Sequence, residues 1–330
     1  MHTEEWGGAL PLEYDFHGEY YNSNRYNLLK TNSCRAAIWV VLKQIAPKRV
    51  IVPHYICDSV YDTIDKCNIQ MVKYFVDTQF YPVDICPKKE DCLIIVNYFG
   101  CCETQIKNIL SIYSDINIIL DNSQAFFNKP EQNVFSVYSP RKFFGVPDGG
   151  YLINDTCMEI AIGGNRVLVQ DTSYSRVAHI LKPIELTTHS AYADFKENER
   201  YLSNNYMEMS KLTEYLLCGI EYKSVMNRRK ENFSFIHDRF KHINKIQLPK
   251  EAVPYIYPLL TAQNLITVKQ FFINNGYYAS TLWEQHLKSE YNGTFEQKMA
   301  KNCLFIPIDQ RYNVESLTRL CSLITSKIGE

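Results

Sequence analysis

The chain has 330 residues, of which 46 % are hydrophobic and 22 % are charged, and its 35 Lys and Arg nearly balance its 36 Asp and Glu. This composition is typical of a folded globular protein of one or two domains and excludes a disordered or fibrous chain. Because the net charge is −1 and no basic stripe is present, the sequence predicts no binding to nucleic acid or to an anionic membrane surface.

The apolar runs are short. The longest are Ala36–Leu42, Cys92–Val96 and Ile116–Leu120, well below the ~20 residues that a membrane-spanning helix needs. The N-terminus lacks the basic and apolar regions of a signal peptide. The 11 cysteines include no CxxC pair, and the 8 histidines show no HxxxH spacing. We therefore expect a cytoplasmic protein with free thiols, no metal site and no membrane segment.

The first half of the chain alternates strand-like and helix-like segments. The strand-like segments are rich in Val, Ile, Tyr and Phe, and several are nearly continuous apolar runs, which is typical of strands buried on both faces of a parallel sheet. The strand candidates are Arg49–Val52, Gln70–Phe75, Leu93–Asn97, Asn117–Leu120, Asn133–Tyr138 and Gly150–Ile153, and the helix candidates are Cys34–Gln44, Ile56–Cys67 and Glu103–Ser114. This alternation predicts an α/β domain with a doubly wound, mostly parallel sheet.

The pattern changes near the charged stretch Asp194–Arg200. Beyond it we predict helices over Tyr206–Tyr222, Asn227–His242 and Val314–Ile328, and strands over Tyr255–Leu260 and Cys303–Pro307. The sequence therefore predicts a large α/β domain with an N-terminal arm over residues 1–193 and a smaller α+β domain over residues 194–330.

The loops that follow the predicted strands contain the candidate chemistry, because ligands of an open parallel sheet bind beyond the C-terminal ends of its strands. Neither GxGxxG after the first strand nor GxxxxGK[ST] is present, so nicotinamide and P-loop nucleotide sites are not favoured. Asp121 directly follows a predicted strand, and Lys142 lies 21 residues later in a loop. A lysine can hold an aldehyde cofactor as a Schiff base, and a carboxylate can keep its ring nitrogen protonated.

Several segments, which occur in the family's order along the chain, resemble motifs of the DegT/DnrJ/EryC1/StrS sugar aminotransferases, which are pyridoxal-phosphate enzymes of fold type I. The segment from Asp121 to Ala125 resembles the D-x-x-[HQ]-A signature, and the segment from Phe135 to Leu152 resembles the serine–lysine–acidic–Gly-Gly stretch. The further matches are Asn32–Ile38 with the N-S-G-T-A-A-L helix start, Pro53–Cys57 with a proline-led aromatic loop, Val96–Gly100 with V-H-x-x-G, and Leu304–Tyr312 with the C-terminal L-P segment.

The resemblance implies the roles of the residues around the cofactor ring. Lys142 would hold pyridoxal 5′-phosphate as a Schiff base, and Asp121 would pair with the pyridine nitrogen. Gln124 would contact the phenolic oxygen of the ring. The ring would be faced either by Tyr55, favoured by its aromatic chemistry, or by Cys57, favoured by its spacing.

The resemblance also implies a phosphate site. The helix start Ser33-Cys34-Arg35 would bind the phosphate through backbone N–H groups, although Cys34 stands where the family usually has glycine. The Arg35 side chain would add a charge-assisted bond if it points inward. Ser139, or alternatively Ser136, would contact the phosphate, and Arg311 is a candidate for a substrate carboxylate.

The sequence thus predicts an aminotransferase that moves an amino group from an amino-acid donor to a nucleotide-linked keto-sugar, in polysaccharide or glycan biosynthesis, as a homodimer. Two alternatives remain: a sugar dehydratase with the same cofactor, and a non-catalytic relative that acts as a binding or scaffold subunit. Lys142 favours transamination over dehydration, because known dehydratase variants replace that lysine. The N-Y-R-type segment that reaches across subunits in the family has no match between Gly163 and Tyr192.

Overall fold

A seven-stranded sheet forms the centre of the computed structural model, which describes residues 10–154, 168–277 and 281–328. The strands lie in the order β1-β7-β6-β5-β4-β2-β3. Strands β2 to β6 are parallel, whereas β7 runs antiparallel to both β6 and β1. The strands are β1 (Leu28–Thr31), β2 (Arg49–Pro53), β3 (Gln70–Tyr74), β4 (Cys92–Val96), β5 (Asn117–Asn122), β6 (Phe135–Tyr138) and β7 (Gly150–Asn154).

The predicted α/β class with a mostly parallel sheet is confirmed. Every residue of β4, β6 and β7 is buried, which explains why these segments are mostly apolar and do not alternate between apolar and polar residues. The sequence missed β1, which lies at the edge of the sheet and is only partly buried. A half-buried edge strand of four residues has neither a long apolar run nor a clear period.

The helices within the described residues are α1 (Cys34–Ile45), α2 (Asp58–Lys66), α3 (Glu103–Ile112), α4 (Ala178–Glu185), α5 (Tyr192–Asn204), α6 (Lys211–Cys218), α7 (Tyr222–Phe240), α8 (Ile266–Asn274), α9 (Phe295–Asn302) and α10 (Val314–Ile328). None of them is long and apolar enough to cross a membrane. The last helix has the predicted bounds. The helix predicted over Tyr206–Tyr222 is shorter in the structure. Helix α6 begins directly after its N-cap Ser210 and ends directly before its C-cap Gly219.

The later part of the chain builds a second, two-stranded antiparallel sheet from β8 (Ile256–Leu260) and β9 (Cys303–Pro307). Helix α7 contacts β8, and α10 packs on α7. The predicted domain boundary at residues 193/194 falls inside α5, and the side chain of Glu199 in this helix bonds to Arg35 and Arg141 of the first part. The charged stretch near the predicted boundary is therefore part of a helix, in which Asp194 and Glu199 form ion pairs.

The tyrosine-rich stretch Tyr14–Tyr26 contains no strand, and it packs on its own chain. The Tyr21 ring is buried against Tyr138 and Phe126, at centroid distances of 4.6 and 5.3 Å. Its hydroxyl donates to the carbonyl oxygen of Phe126 at 2.6 Å. The buried Tyr21 thus anchors this stretch to a cluster of buried aromatic side chains of its own chain.

Lys269 is a buried cation in the second part of the chain. It is 4 % exposed, and its Nζ donates to the carbonyl oxygen of Ala300 at 2.6 Å. Desolvation lowers the pKa of Lys269 to about 8. Between about pH 8 and 10.5 the unfolded chain, in which this lysine has its ordinary pKa, binds more protons than the folded protein. The charge on Lys269 therefore lowers the free energy of unfolding by its full amount below pH 8, and by progressively less as the pH rises.

We therefore expect Lys269→Met to increase the free energy of unfolding at pH 7 by about 1–2 kcal/mol, since a buried charge is replaced by a side chain of similar length. The gain should shrink at pH 10. Guanidinium unfolding at both pH values measures this, with the exposed Lys298→Met as the control. A variant that is less stable than the parent at pH 7 and equal to it at pH 10 would contradict this account.

Candidate active site

The ends of β5 and β6 bring Asp121 and Lys142 to the same edge of the sheet. The two strands are parallel neighbours, with Asp121 opposite Val137, so their C-terminal ends meet. The strand β5 continues to Asn122, so Asp121 lies just inside it rather than after it. Ser123 links the two predicted residues: its Oγ accepts from Lys142 Nζ at 3.1 Å, and its N–H donates to Asp121 Oδ1 at 2.8 Å.

Lys142 ends a single helical turn, Pro140–Lys142, that follows β6. Its Nζ lies 5.8 Å from the centroid of the Tyr255 ring, which comes from the second part of the chain. The Tyr255 N–H donates to the carbonyl oxygen of Phe99 at 2.8 Å, which fixes this segment beside the loop after β4. The lysine amine is therefore placed between a hydroxyl of the main sheet's edge and an aromatic ring.

The N-terminus of α1 packs against the start of β7. Ser33 caps the helix, with its Oγ accepting from Ala36 N–H at 3.2 Å. The backbone amides of Cys34 and Arg35 also belong to the first turn, where a helix has no internal acceptor for them. A Cβ on Gly150 would lie 2.4 Å from the Ser33 carbonyl carbon and 2.7 Å from the Cys34 nitrogen, so only glycine permits this approach. The first turn also presents the positive end of the helix, which favours an anion.

The Cys34 thiol connects this helix start to the two predicted catalytic residues. Desolvation raises its pKa well above the ordinary value, and the negative charge of Asp121 raises it further, while Lys142 and Arg35 act in the opposite direction. Cys57 adds a smaller increase. Cys34 therefore lies close enough to Asp121, Lys142 and Cys57 for these groups to change the pKa of its thiol.

Gln124 and the predicted phosphate serines are buried around this neighbourhood. The Oε1 of Gln124 accepts from the N–H of Phe99 at 2.8 Å, which fixes the orientation of its amide. Ser139 is buried and precedes the turn that carries Lys142, whereas Ser136 lies inside β6. Of the two serines, Ser139 is the nearer along the chain to Lys142.

The two alternatives for the ring-facing position have different surroundings. The Tyr55 ring is fully buried and lies 4.3 Å from Trp283 and 5.6 Å from Tyr98. Cys57 is exposed and is the N-cap residue of α2. It contributes to the raised pKa of the Cys34 thiol. The tyrosine is therefore enclosed by other rings, whereas the cysteine is open to solvent.

The Arg35 guanidinium is occupied by protein partners. It donates to Ser203 Oγ at 2.8 Å and to Glu199 Oε2 at 3.2 Å. Glu199 also pairs with Arg141, the residue before Lys142. Although desolvation acts in the opposite direction, the charges of Arg141 and Arg35 hold the pKa of the Glu199 carboxyl below its usual range. One carboxylate thus joins the start of α1 to the turn that carries Lys142.

Arg311 lies in the second part of the chain, next to Asp309 and not beside Lys142 or Asp121. It forms two bonds with Asp309, at 2.7 and 2.9 Å, and its side chain is largely exposed. It lines a cavity of about 380 Å³ whose lining includes neither Lys142 nor Asp121. Among the described residues, no group of three His, Cys, Asp or Glu is placed to hold a metal ion.

Sequence reasoning missed Ser123, Tyr255 and Glu199. Ser123 could have been found, because it lies between the first and fourth residues of the D-x-x-[HQ]-A motif. Tyr255 and Glu199 contact the site across more than 50 positions of sequence, so no local pattern indicates them. The sequence has no match to the N-Y-R-type segment between Gly163 and Tyr192, and positions 163–167 of this region lie outside the described residues.

By sequence, no protein-family model and no curated protein matches the chain. Solved structures match it in fold. The PseC aminotransferase of Helicobacter pylori, involved in pseudoaminic acid biosynthesis, has a TM-score of 0.62 at 13 % identity, with 91 % of this chain and 86 % of that chain covered. The chain has the fold of the sugar aminotransferases.

Two further structures support this assignment of the fold. NtdA of Bacillus subtilis, with the cofactor PMP bound, has a TM-score of 0.60 at 11 % identity, over 92 % of this chain and 73 % of that one. A DegT/DnrJ/EryC1/StrS aminotransferase from Brucella abortus has a TM-score of 0.57 at 14 % identity, over 92 % and 86 % of the two chains. The predicted fold type I, with a smaller second domain, is therefore the fold of these enzymes.

Proposed function

We propose that this protein is a pyridoxal-phosphate-dependent aminotransferase that transfers an amino group from an amino-acid donor to a keto-sugar carried on a nucleotide, in polysaccharide or glycan biosynthesis. One observation carries the proposal: the Lys142–Ser123–Asp121 arrangement lies at the C-terminal edge of the sheet, after two strands that α1 contacts. It does so in a chain with the fold of enzymes that bind this cofactor.

The residues present fit the cofactor. Gly150 allows the start of α1 to lie against β7, and the positive end of this helix, at Cys34 and Arg35, would hold the phosphate. Asp121 is 4 % exposed and is a carboxylate suited to a protonated ring nitrogen. Cys57 and Gln124 would contact the ring, and Ser139 would contact the phosphate. Arg35 would contribute its backbone amide, since its guanidinium is already paired with Glu199.

Bound pyridoxal phosphate supplies an electron sink for the α-carbon of the donor. Lys142 would hold the aldehyde group and, once displaced by the donor amine, would move a proton at its Nζ between donor and cofactor as general base and then general acid. The Ser123 hydroxyl would orient that amine through the bond it forms at 3.1 Å. Asp121 would keep the ring nitrogen protonated, and the Tyr255 ring would cover the amine and exclude water.

The two alternative functions are less well supported. Lys142 is present and bonded to Ser123, whereas dehydratase variants of the family replace this lysine. A scaffold subunit would need neither Lys142 nor Asp121 in contact with one shared serine. The free thiols of the ten described cysteines support the proposed cytoplasmic location, since such a compartment keeps thiols reduced.

We expect that the purified protein, mixed with pyridoxal 5′-phosphate and treated with borohydride, carries a stable adduct on Lys142, because this amine is directed into the site. Peptide mapping by mass spectrometry identifies the modified lysine. Lys142→Met should lose the adduct, and Lys129→Met, a substitution at an exposed lysine, should retain it. An adduct on another lysine, or none at all, would reject the assignment of the site.

We expect Asp121→Asn to fold and to bind the cofactor, since the amide oxygen can still accept from Ser123 N–H. The half-reaction with an amino-acid donor should slow by about a hundredfold or more, because a neutral amide does not hold the ring nitrogen protonated. Stopped-flow absorbance measures this rate, with the exposed Asp115→Asn as the control. A near-parental rate would show that Asp121 has only a structural role.

We also propose that the protein is a homodimer. Helix α4 has no buried residue, and Leu181, Ile184 and the adjacent Leu186 are each more than half exposed. Such neighbouring apolar side chains are typical of a surface that is covered in an assembly. A two-fold contact is the commonest way to cover such a surface with a second copy of the same chain.

Light scattering at micromolar concentration should give about twice the chain mass of 38.5 kDa. Ile184→Glu should shift the protein to the monomer, since it places a charge in the apolar contact, whereas Lys196→Glu on the neighbouring helix should leave the mass unchanged. A parent protein that is monomeric at this concentration would refute the dimer.

A further inference from the structure

The lysine-bearing turn has little regular structure of its own. It is a single turn of three residues, and the N–H groups of Phe143 and Phe144 both donate to the carbonyl oxygen of Pro140, at 2.9 Å each. A short turn of this kind does not by itself hold a side chain to the accuracy that catalysis needs, since an error of about 1 Å costs about a hundredfold in rate. Contacts from outside the turn must therefore fix its position.

One external contact comes from the second part of the chain. The Gln310 Nε2 donates to the carbonyl oxygen of Phe143, the residue after Lys142, at 2.7 Å. The Gln310 Oε1 in turn accepts from Arg229 Nε at 3.1 Å. Gln310 therefore uses both ends of its amide, one on the lysine-bearing turn and one on an arginine of α7.

Arg229 makes this contact rigid. It is 1 % exposed, and its Nη1 donates to the carbonyl oxygens of Pro254 and Tyr255 at 3.0 and 3.2 Å. Its guanidinium carbon lies 4.5 Å from the centroid of the Phe143 ring. The same arginine thus holds Gln310 and also the backbone of Tyr255, whose ring faces the Lys142 amine.

The residue before Lys142 is held from the opposite side, because Arg141 pairs with Glu199. Lys142 therefore has one neighbour bonded to α5 and the other bonded to Gln310 of the second part. The Phe143 ring also packs on Phe126 and Phe127, at centroid distances of 5.8 Å each. Gln310 therefore adds a polar contact from the second part of the chain to a turn that ring packing also supports.

We propose that Gln310 is a positioning residue for Lys142, which it holds in place through the Phe143 carbonyl with Arg229 as its support. The inference rests on the proposed function only for the role of Lys142 itself. Gln310 does not touch the reacting atoms. It couples the position of the second part of the chain to the direction in which the lysine amine points.

The substitution Gln310→Glu tests this contact selectively. A carboxylate still accepts from Arg229, but it cannot donate to the Phe143 carbonyl, so the support is kept and the contact to the turn is lost. Gln310→Leu removes both contacts. The matched control is Gln270→Glu, because Gln270 is exposed on α8 and bonds only to Asn274 among the partners recorded for its side chain.

The first readout needs no cofactor. Hydrogen exchange at the amides of Phe143 and Phe144 should become about tenfold faster in Gln310→Glu and in Gln310→Leu, and should not change in Gln270→Glu. If Gln310→Glu does not fold, Gln310→Leu provides the same comparison. Unchanged exchange in a folded Gln310 variant would overturn the proposal, whatever the protein's reaction.

The second readout uses the cofactor-loaded protein. The half-reaction with an amino-acid donor should slow by about tenfold in Gln310→Glu, while the donor KM stays within about twofold, since the groups that bind the donor are not moved. Equal losses in affinity and rate, or an unchanged rate, would overturn the positioning role. A parent protein that fails to bind the cofactor would refute the proposed function, and the exchange measurement would still decide the role of Gln310.

Discussion

The close approach of α1 to β7 is the constraint on which the site depends. A side chain at position 150 would overlap the backbone of Ser33 and Cys34, so the helix can start at this place only because residue 150 is glycine. The approach brings the positive end of α1 to the strand that follows the lysine-bearing turn. Two separate constraints thus account for the Gly-Gly pair that follows Lys142. Gly150 is required by the close approach, and Gly149 adopts a φ of +123° that other residues rarely accept.

The charged side chains around the site form ion pairs between segments that are distant in the sequence. Glu199 of α5 neutralises part of the charge of Arg35 and Arg141, which are nearly buried. The arginines would otherwise repel each other across the helix start and the lysine-bearing turn. Because one carboxylate serves two guanidiniums, the neighbourhood keeps a net positive charge, which suits the phosphate that we propose binds at α1.

The sequence predicted the parts of the fold and site that have a local signal. Buried strands such as Cys92–Val96 are continuous apolar runs, and Asp121 and Lys142 lie in motifs at strand ends. The parts that were not predicted depend on contacts between distant positions. The charged stretch Asp194–Arg200 marks the place where the pattern changes, and nothing near it in the sequence indicates that Glu199 pairs with Arg35 and Arg141. Tyr55 matched an aromatic motif, but Trp283 and Tyr98 enclose its ring, and no pattern near residue 55 indicates this.

The central claim is that one edge of the main sheet binds pyridoxal phosphate through Lys142 and Asp121. The most direct measurement is a crystal structure of the protein grown with pyridoxal 5′-phosphate. The account predicts density continuous from the cofactor to the Lys142 amine, the ring nitrogen beside the Asp121 carboxylate and the phosphate at the amides of Cys34 and Arg35. A cofactor bound elsewhere, or an empty site at saturating concentration, would contradict it.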